Sequence, residues 1–125
     1  MENEGTVKVL FIDDKPLHLD LLKRIINTID PKMDVDILSD PTKTIEKVLK
    51  TEYDCVFIDQ KMSRVTGKDM IKMIKQVKHV PCIIYTGYDA SDLDAEADVI
   101  LEKILNANFY PDLIKTIRET VKAYH

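Results

Sequence analysis

The chain has 125 residues, 45% hydrophobic and 32% charged, a size and balance that suit one globular domain with a substantial core. Its net charge of −4 comes from 22 acidic residues interspersed with 18 basic ones, so no basic block is available to neutralise a nucleic-acid backbone or an anionic membrane. The start, Met1-Glu2-Asn3-Glu4-Gly5, is acidic, no apolar run is long enough to cross a bilayer, and His18, His79 and His125 lack ligand spacing; a soluble, cytoplasmic domain is expected.

Apolar strand-like runs alternate with stretches of helical period, the pattern of a parallel sheet covered on both faces. The first strand, Val7 to Ile12, breaks at Asp13-Asp14, and Pro16 suits the first turn of a helix with apolar positions Leu21, Leu22, Ile25 and Ile29. A second strand lies within Met33 to Leu38. Asp40-Pro41 then offers an N-cap and a first helical proline, with Ile45, Val48 and Leu49 on one face of the helix. The third strand, Asp54 to Ile58, is a short continuous apolar run suited to a central position. After a loop over Asp59 to Thr66, Gly67 precedes a helix buried through Met70, Ile71, Ile74 and Val77. Pro81 opens the fourth strand and Thr86-Gly87 ends it. A weak helix around Ser91 to Ala97, a fifth strand over Asp98 to Leu101, and a helix from about Pro111 through Leu113, Ile114, Ile117, Val121 and Tyr124 complete the chain. The expectation is five strands and five helices in a single domain over residues 1–125, with the fourth helix short and no output domain. Cys55 and Cys82 read as small buried hydrophobes; each lies equally far before the polar end of its strand, which would put them side by side if those strands are neighbours.

Four of the five strands end in residues able to carry chemistry: Asp13 and Asp14, then Asp59, then Thr86, then Lys103. In a parallel sheet these all project from the carboxyl edge, where open α/β sheets bind ligands. Three carboxylates there suit a hard cation such as Mg²⁺ beside a phosphoryl group, and their mutual repulsion without a cation is relieved by metal binding. Singly, each residue has an ordinary reading: an N-cap for Asp13 or Asp14, a turn hydroxyl for Thr86, a solvated charge for Lys103. The conjunction and its order are what point to a site.

The stretches Val9-Leu10-Phe11-Ile12-Asp13-Asp14, Val56-Phe57-Ile58-Asp59-Gln60-Lys61-Met62, Gly67, Ile83-Ile84-Tyr85-Thr86-Gly87 and Leu101-Glu102-Lys103 resemble the response-regulator receiver domain, the phosphoacceptor module of two-component signalling. The likeness covers nearly the whole chain. It implies a flavodoxin-like, doubly wound sheet of five parallel strands in the order 2-1-3-4-5. It also implies that Asp59 accepts a phosphoryl group from a phosphohistidine. By family position Asp14 binds Mg²⁺ directly, Asp13 mainly through water, and Lys61 through its backbone carbonyl, with Asp59 completing the metal set. Thr86 and Lys103 then bind phosphoryl oxygens. The implied partners are a sensor histidine kinase or phosphotransfer protein, a downstream protein, and a second copy of the chain through the surface of the fourth helix. Such a domain signals and is not an enzyme; it catalyses only its own phosphorylation and dephosphorylation.

Several positions depart from the family pattern. Ile100 stands where an aromatic residue usually reports the switch, and Tyr85 and Tyr88 flank Thr86 as candidate substitutes. Ile104 replaces the proline after Lys103, Ser63 replaces the proline after Met62, and the interval from Thr86 to Lys103 is short. These departures keep a second reading open, a pseudo-receiver or protein-binding scaffold that is not phosphorylated. A third reading, a Mg²⁺-dependent aspartyl phosphohydrolase, needs a second acid where this chain has Lys61.

Overall fold

A computed structural model describes residues 5–87, 97–102 and 107–124. In chain order the described elements are β1 (Val7–Ile12), α1 (Pro16–Ile29), β2 (Met33–Leu38), a 3₁₀ turn (Pro41–Lys43), α2 (Thr44–Lys50), β3 (Cys55–Asp59), α3 (Gly67–Val77), β4 (Cys82–Thr86), β5 (Val99–Glu102) and α4 (Phe109–Tyr124). All strand pairs are parallel, and the sheet runs β2-β1-β3-β4-β5, the expected flavodoxin-like order. The expected helix around Ser91 falls on residues 88–96, outside the described residues, as does Tyr88.

Side chains alternate across each strand, so the sheet divides the core into two layers. Val9, Phe11, Phe57, Ile83 and Tyr85 pack with Leu19 and Ile26 of α1 and with Phe109, Leu113 and Ile117 of α4. On the other face Leu10, Ile12, Val56, Ile58 and Ile84 pack with Val48 of α2 and Met70, Ile71 and Ile74 of α3. β3 and β4 are buried at every position because both faces and both edges are covered, whereas edge strand β2 exposes Asp34.

Local caps agree with sequence rules. Asp40 Oδ1 accepts from Thr42 N at 3.1 Å and starts the 3₁₀ turn ahead of α2. Thr66 Oγ1 accepts from Asp69 N at 3.1 Å, so Thr66 caps α3 and Gly67 is its first residue.

Four expectations need correction. The buried side of α1 is Leu19 and Ile26 with Leu22 partly covered, while Leu21 and Ile29 are exposed; apolar residues occur all round this helix, and packing against the sheet selects the face. Leu49 of α2 and Val77 of α3 are likewise exposed at the helix ends. α4 starts at Phe109, ahead of Pro111, while β3 and β5 each lie one residue later than expected. Cys55 and Cys82 are both free and buried, but not side by side. Val56 is the residue opposite Cys82, and this one-residue offset sends the two thiols into opposite core layers.

Tyr85 sits in a run of tilted aromatic pairs, 5.2 Å from Phe57 and 5.7 Å from Phe109 between ring centroids. It is therefore a core residue held on two sides, not a surface aromatic ready to swing.

Candidate functional site

The parallel register delivers the site. Ile12 is level with Ile58, so the chain leaving β1 at Asp13 emerges beside Asp59, the last residue of β3. Thr86 ends β4 on the same carboxyl edge. One carboxylate oxygen from each of Asp13, Asp14 and Asp59 lies within 4.8 Å of the others. Asp13, Asp59 and Thr86 are buried, with 6%, 4% and 2% exposure, and Asp14 is partly exposed. Asp14, Asp59 and Thr86 line an open cleft of ≈ 680 Å³ whose rim includes Lys61, Met62 and Ser63. Lys103 lies outside the described residues.

Neither acid of the pair is used up as a helix cap. Lys15 is the N-cap residue of α1 and makes no side-chain cap bond. Asp13 Oδ1 instead accepts from the Lys15 backbone N–H at 3.0 Å, and its Oδ2 lies 3.4 Å from His18 Nδ1. Asp14 Oδ2 accepts from the Ser63 backbone N–H at 2.7 Å. A proline at position 63 would have no N–H to give, so this departure from the family pattern ties the loop after β3 directly to the acid pair. The Lys15 ammonium stands 3.3 Å from Asp14 Oδ1, 3.6 Å from Asp59 Oδ2 and 3.7 Å from Asp13 Oδ1. Partial burial pushes the Asp14 carboxyl up, but the Ser63 hydrogen bonds and the Lys15 charge outweigh it and hold the group below the ordinary aspartate value. Partial burial likewise disfavours the Lys15 ammonium, yet the three carboxylates hold its pKa above the usual lysine value.

The loop from β3 to α3 is pinned at several points. Met62 is buried in the α2/α3 layer and Val65 packs against it. Gln60 clamps the start of α3: its carbonyl accepts from Gly67 N at 3.0 Å and its Oε1 from Lys68 N at 2.9 Å. Gly67 is needed for space, since a Cβ there would stand 2.8 Å from the Asp59 carbonyl oxygen and 3.0 Å from Gln60 Cα. No glycine among the described residues has a positive φ.

The donor set fits a small hard cation. Mg²⁺ takes oxygen ligands at 2.0–2.1 Å in near-octahedral geometry, so opposite ligand oxygens are about 4.2 Å apart. Adjacent ligand oxygens would be about 3 Å apart, so carboxylate oxygens within 4.8 Å of one another could close on one ion by side-chain adjustment, and the ammonium lying against all three is consistent with a place of negative potential. The contacts of Lys15, Ser63 and Gln60 were not legible in the sequence; only the spacing Thr66-x-x-Asp69 carried a readable capping signal for this loop.

A five-stranded parallel sheet in this order, with clustered acids and a hydroxyl at its carboxyl edge, defines a flavodoxin-like, doubly wound α/β fold as the class. The sequence profile of the response regulator receiver domain matches residues 9–117, and the chain belongs to that family. It is 32% identical over 102 residues to the sensory transduction protein LytR of Staphylococcus saprophyticus, covering 77% of this chain and 40% of that protein. It is 31% identical over 74 residues to stress response regulator protein 1 of the yeast Scheffersomyces stipitis, covering 59% of this chain and 26% of that protein. The chain thus spans less than half the length of these relatives. Among solved structures, a receiver domain from Clostridium thermocellum superposes with a TM-score of 0.80 at 26% identity, covering 94% of this chain and 95% of that one. The response regulator TrrA of Thermotoga maritima, solved with Mg²⁺-BeF, superposes with a TM-score of 0.74 at 23% identity, covering 90% of this chain and 99% of that one. Among the described residues no helix is long and apolar enough to cross a membrane.

Proposed function

We propose that this receiver domain takes a phosphoryl group onto Asp59 from the phosphohistidine of a sensor histidine kinase or phosphotransfer protein in the cytoplasm. Asp13, Asp14, Asp59 and the Lys61 backbone carbonyl would hold Mg²⁺. The observation that carries this reading is the convergence of three carboxylates within 4.8 Å at the carboxyl edge of the sheet.

In the transfer, one Asp59 carboxylate oxygen forms the new P–O bond as the P–N bond to the partner imidazole breaks, and the bonding electron pair stays on the ring nitrogen. When bound, Mg²⁺ neutralises negative charge on the transferring phosphoryl oxygens. Ser63 N–H and Lys15 N–H orient Asp14 and Asp13 as they do in the free domain. Thr86, buried at the end of the neighbouring strand, would donate its hydroxyl to a phosphoryl oxygen on Asp59, and Lys103 would supply the pairing cation, a role assigned from its position in the chain. The new dianion draws on these groups, and the altered surface is read by a downstream protein or a second copy of the chain. The domain turns over no other substrate.

Mass spectrometry after incubation with Mg²⁺ and a small phosphodonor tests this. One phosphoryl adduct is expected in the native chain and none in Asp59→Asn. Absence of any adduct would favour an unphosphorylated scaffold, and continuous phosphate release would favour a phosphohydrolase.

A further inference from the structure

Lys15 follows the acid pair directly, and the phosphoryl chemistry above assigns its side chain no role. That side chain turns back over the cleft, and its single ammonium touches one oxygen of each of the three acids, at 3.3 to 3.7 Å. Those are the acids given to Mg²⁺ above. We infer that Lys15 is a tethered counter-ion of the metal-free site, and that it withdraws when a divalent cation binds, so the chain carries its own competitor for Mg²⁺. This rests on the metal reading of the previous section.

The physical case is one of charge and reach. Two cations cannot share the same carboxylate oxygens without strong repulsion at these distances. The lysine stem is flexible, and the side chain is 54% exposed, so the ammonium can move into solvent and be rehydrated without disturbing the core. The lysine end of each pair is exposed although Asp13 and Asp59 are buried, and separations of 3.3 to 3.7 Å with a solvated ammonium keep each pair weak. The competition is therefore modest: it lowers metal affinity without abolishing it. In return the acids are held together before metal arrives, in place of splaying under their own repulsion.

Calorimetric titration of the whole chain with MgCl₂ tests the inference. Lys15→Met removes the charge and keeps an apolar stem, whereas Lys15→Arg keeps the charge. Lys15→Met is expected to bind Mg²⁺ about three- to tenfold more tightly than the native chain, and Lys15→Arg about as weakly as it. In chelator Lys15→Met should melt at a lower temperature, and saturating Mg²⁺ should narrow that gap. The loss in chelator should be smaller when Asp59→Asn is already present, because one of the three ion-pair partners is then gone. Unchanged or weaker Mg²⁺ binding by Lys15→Met would overturn the competition while leaving the metal site standing. No Mg²⁺ binding by either protein would overturn the metal reading and the competition together.

Discussion

Gly67→Ala is the sharpest probe of how the fold positions Asp59. At an ordinary first helical residue the change would help, since alanine is the better helix former by up to about 1 kcal/mol. Here the added methyl would stand 2.8 Å from the Asp59 carbonyl oxygen, 3.0 Å from Gln60 Cα and 3.2 Å from the Asp59 carbonyl carbon, all of them backbone atoms. An unstrained contact needs roughly half an ångström more, so the end of β3 and the start of α3 must separate. They are joined by the Gly67 N to Gln60 O hydrogen bond of 3.0 Å and by Gln60 Oε1 on Lys68 N, which resist that movement. Overpacking of this kind costs about 1–3 kcal/mol, and the helix gain offsets only part, leaving a net loss of about 1–2 kcal/mol. Urea unfolding followed by circular dichroism reads the loss. Gly5→Ala, where a Cβ meets nothing within 4 Å, is the control and should be neutral. The displaced backbone is that of the proposed phosphoacceptor, so the rate of phosphoryl uptake should fall by about tenfold or more even where the protein is fully folded. A variant as stable as the native chain and phosphorylated at its rate would refute the argument that close approach is why glycine stands there.

Asp59→Asn should stabilise the fold in chelator by about 1 kcal/mol, relieved repulsion net of the Lys15 contact, seen as a rise of a few degrees in melting temperature, and saturating Mg²⁺ should shrink or reverse the gain; a lower melting temperature in chelator would contradict it. Arg118 donates to Asp30 Oδ2 at 2.8 Å and to the Gly5 carbonyl at 2.9 Å, tying α4 to the end of α1 and the start of β1. Its hydrogen bonds outweigh the partial burial of Asp30 and hold that carboxyl below its ordinary value of 3.8, so the bond's contribution is present above the unfolded-state pKa and fades as pH falls through the folded one. Arg118→Met should therefore cost about 1–2 kcal/mol at neutral pH, with the difference closing in acid; a gap that stays constant down to strongly acidic pH would count against it. Burial pushes the Cys82 thiol up to about 12 and holds the Cys55 thiol well above its ordinary value. Both should resist alkylation at pH 8 until denaturant is added, and oxidant should form no bridge between them; peptide mapping reads both outcomes.

The strand ends were legible because polar residues interrupt continuous apolar runs, and a parallel sheet sends every such interruption to one edge. Asp13, Asp14, Asp59 and Thr86 could thus be assembled on paper without a single contact being known. The buried face of α1 could not, because its apolar residues surround the helix and only the sheet decides which of them are covered. The register between β3 and β4 could not either, since counting back from strand ends gives no sign of a one-residue offset, and that offset alone places Cys55 and Cys82 in different layers.

Alternating apolar runs and helical periods, with chemistry confined to strand ends, determined the architecture and the identity of the acids from the chain alone. Their short range is the reason: each signal is carried by residues within one element. What holds the site in working order was decided only by the tertiary structure. The Ser63 N–H on Asp14, the Lys15 ammonium over three carboxylates and the missing Cβ of Gly67 against Asp59 all depend on separations of a few ångströms between groups that different elements supply, and no local pattern encodes such a distance.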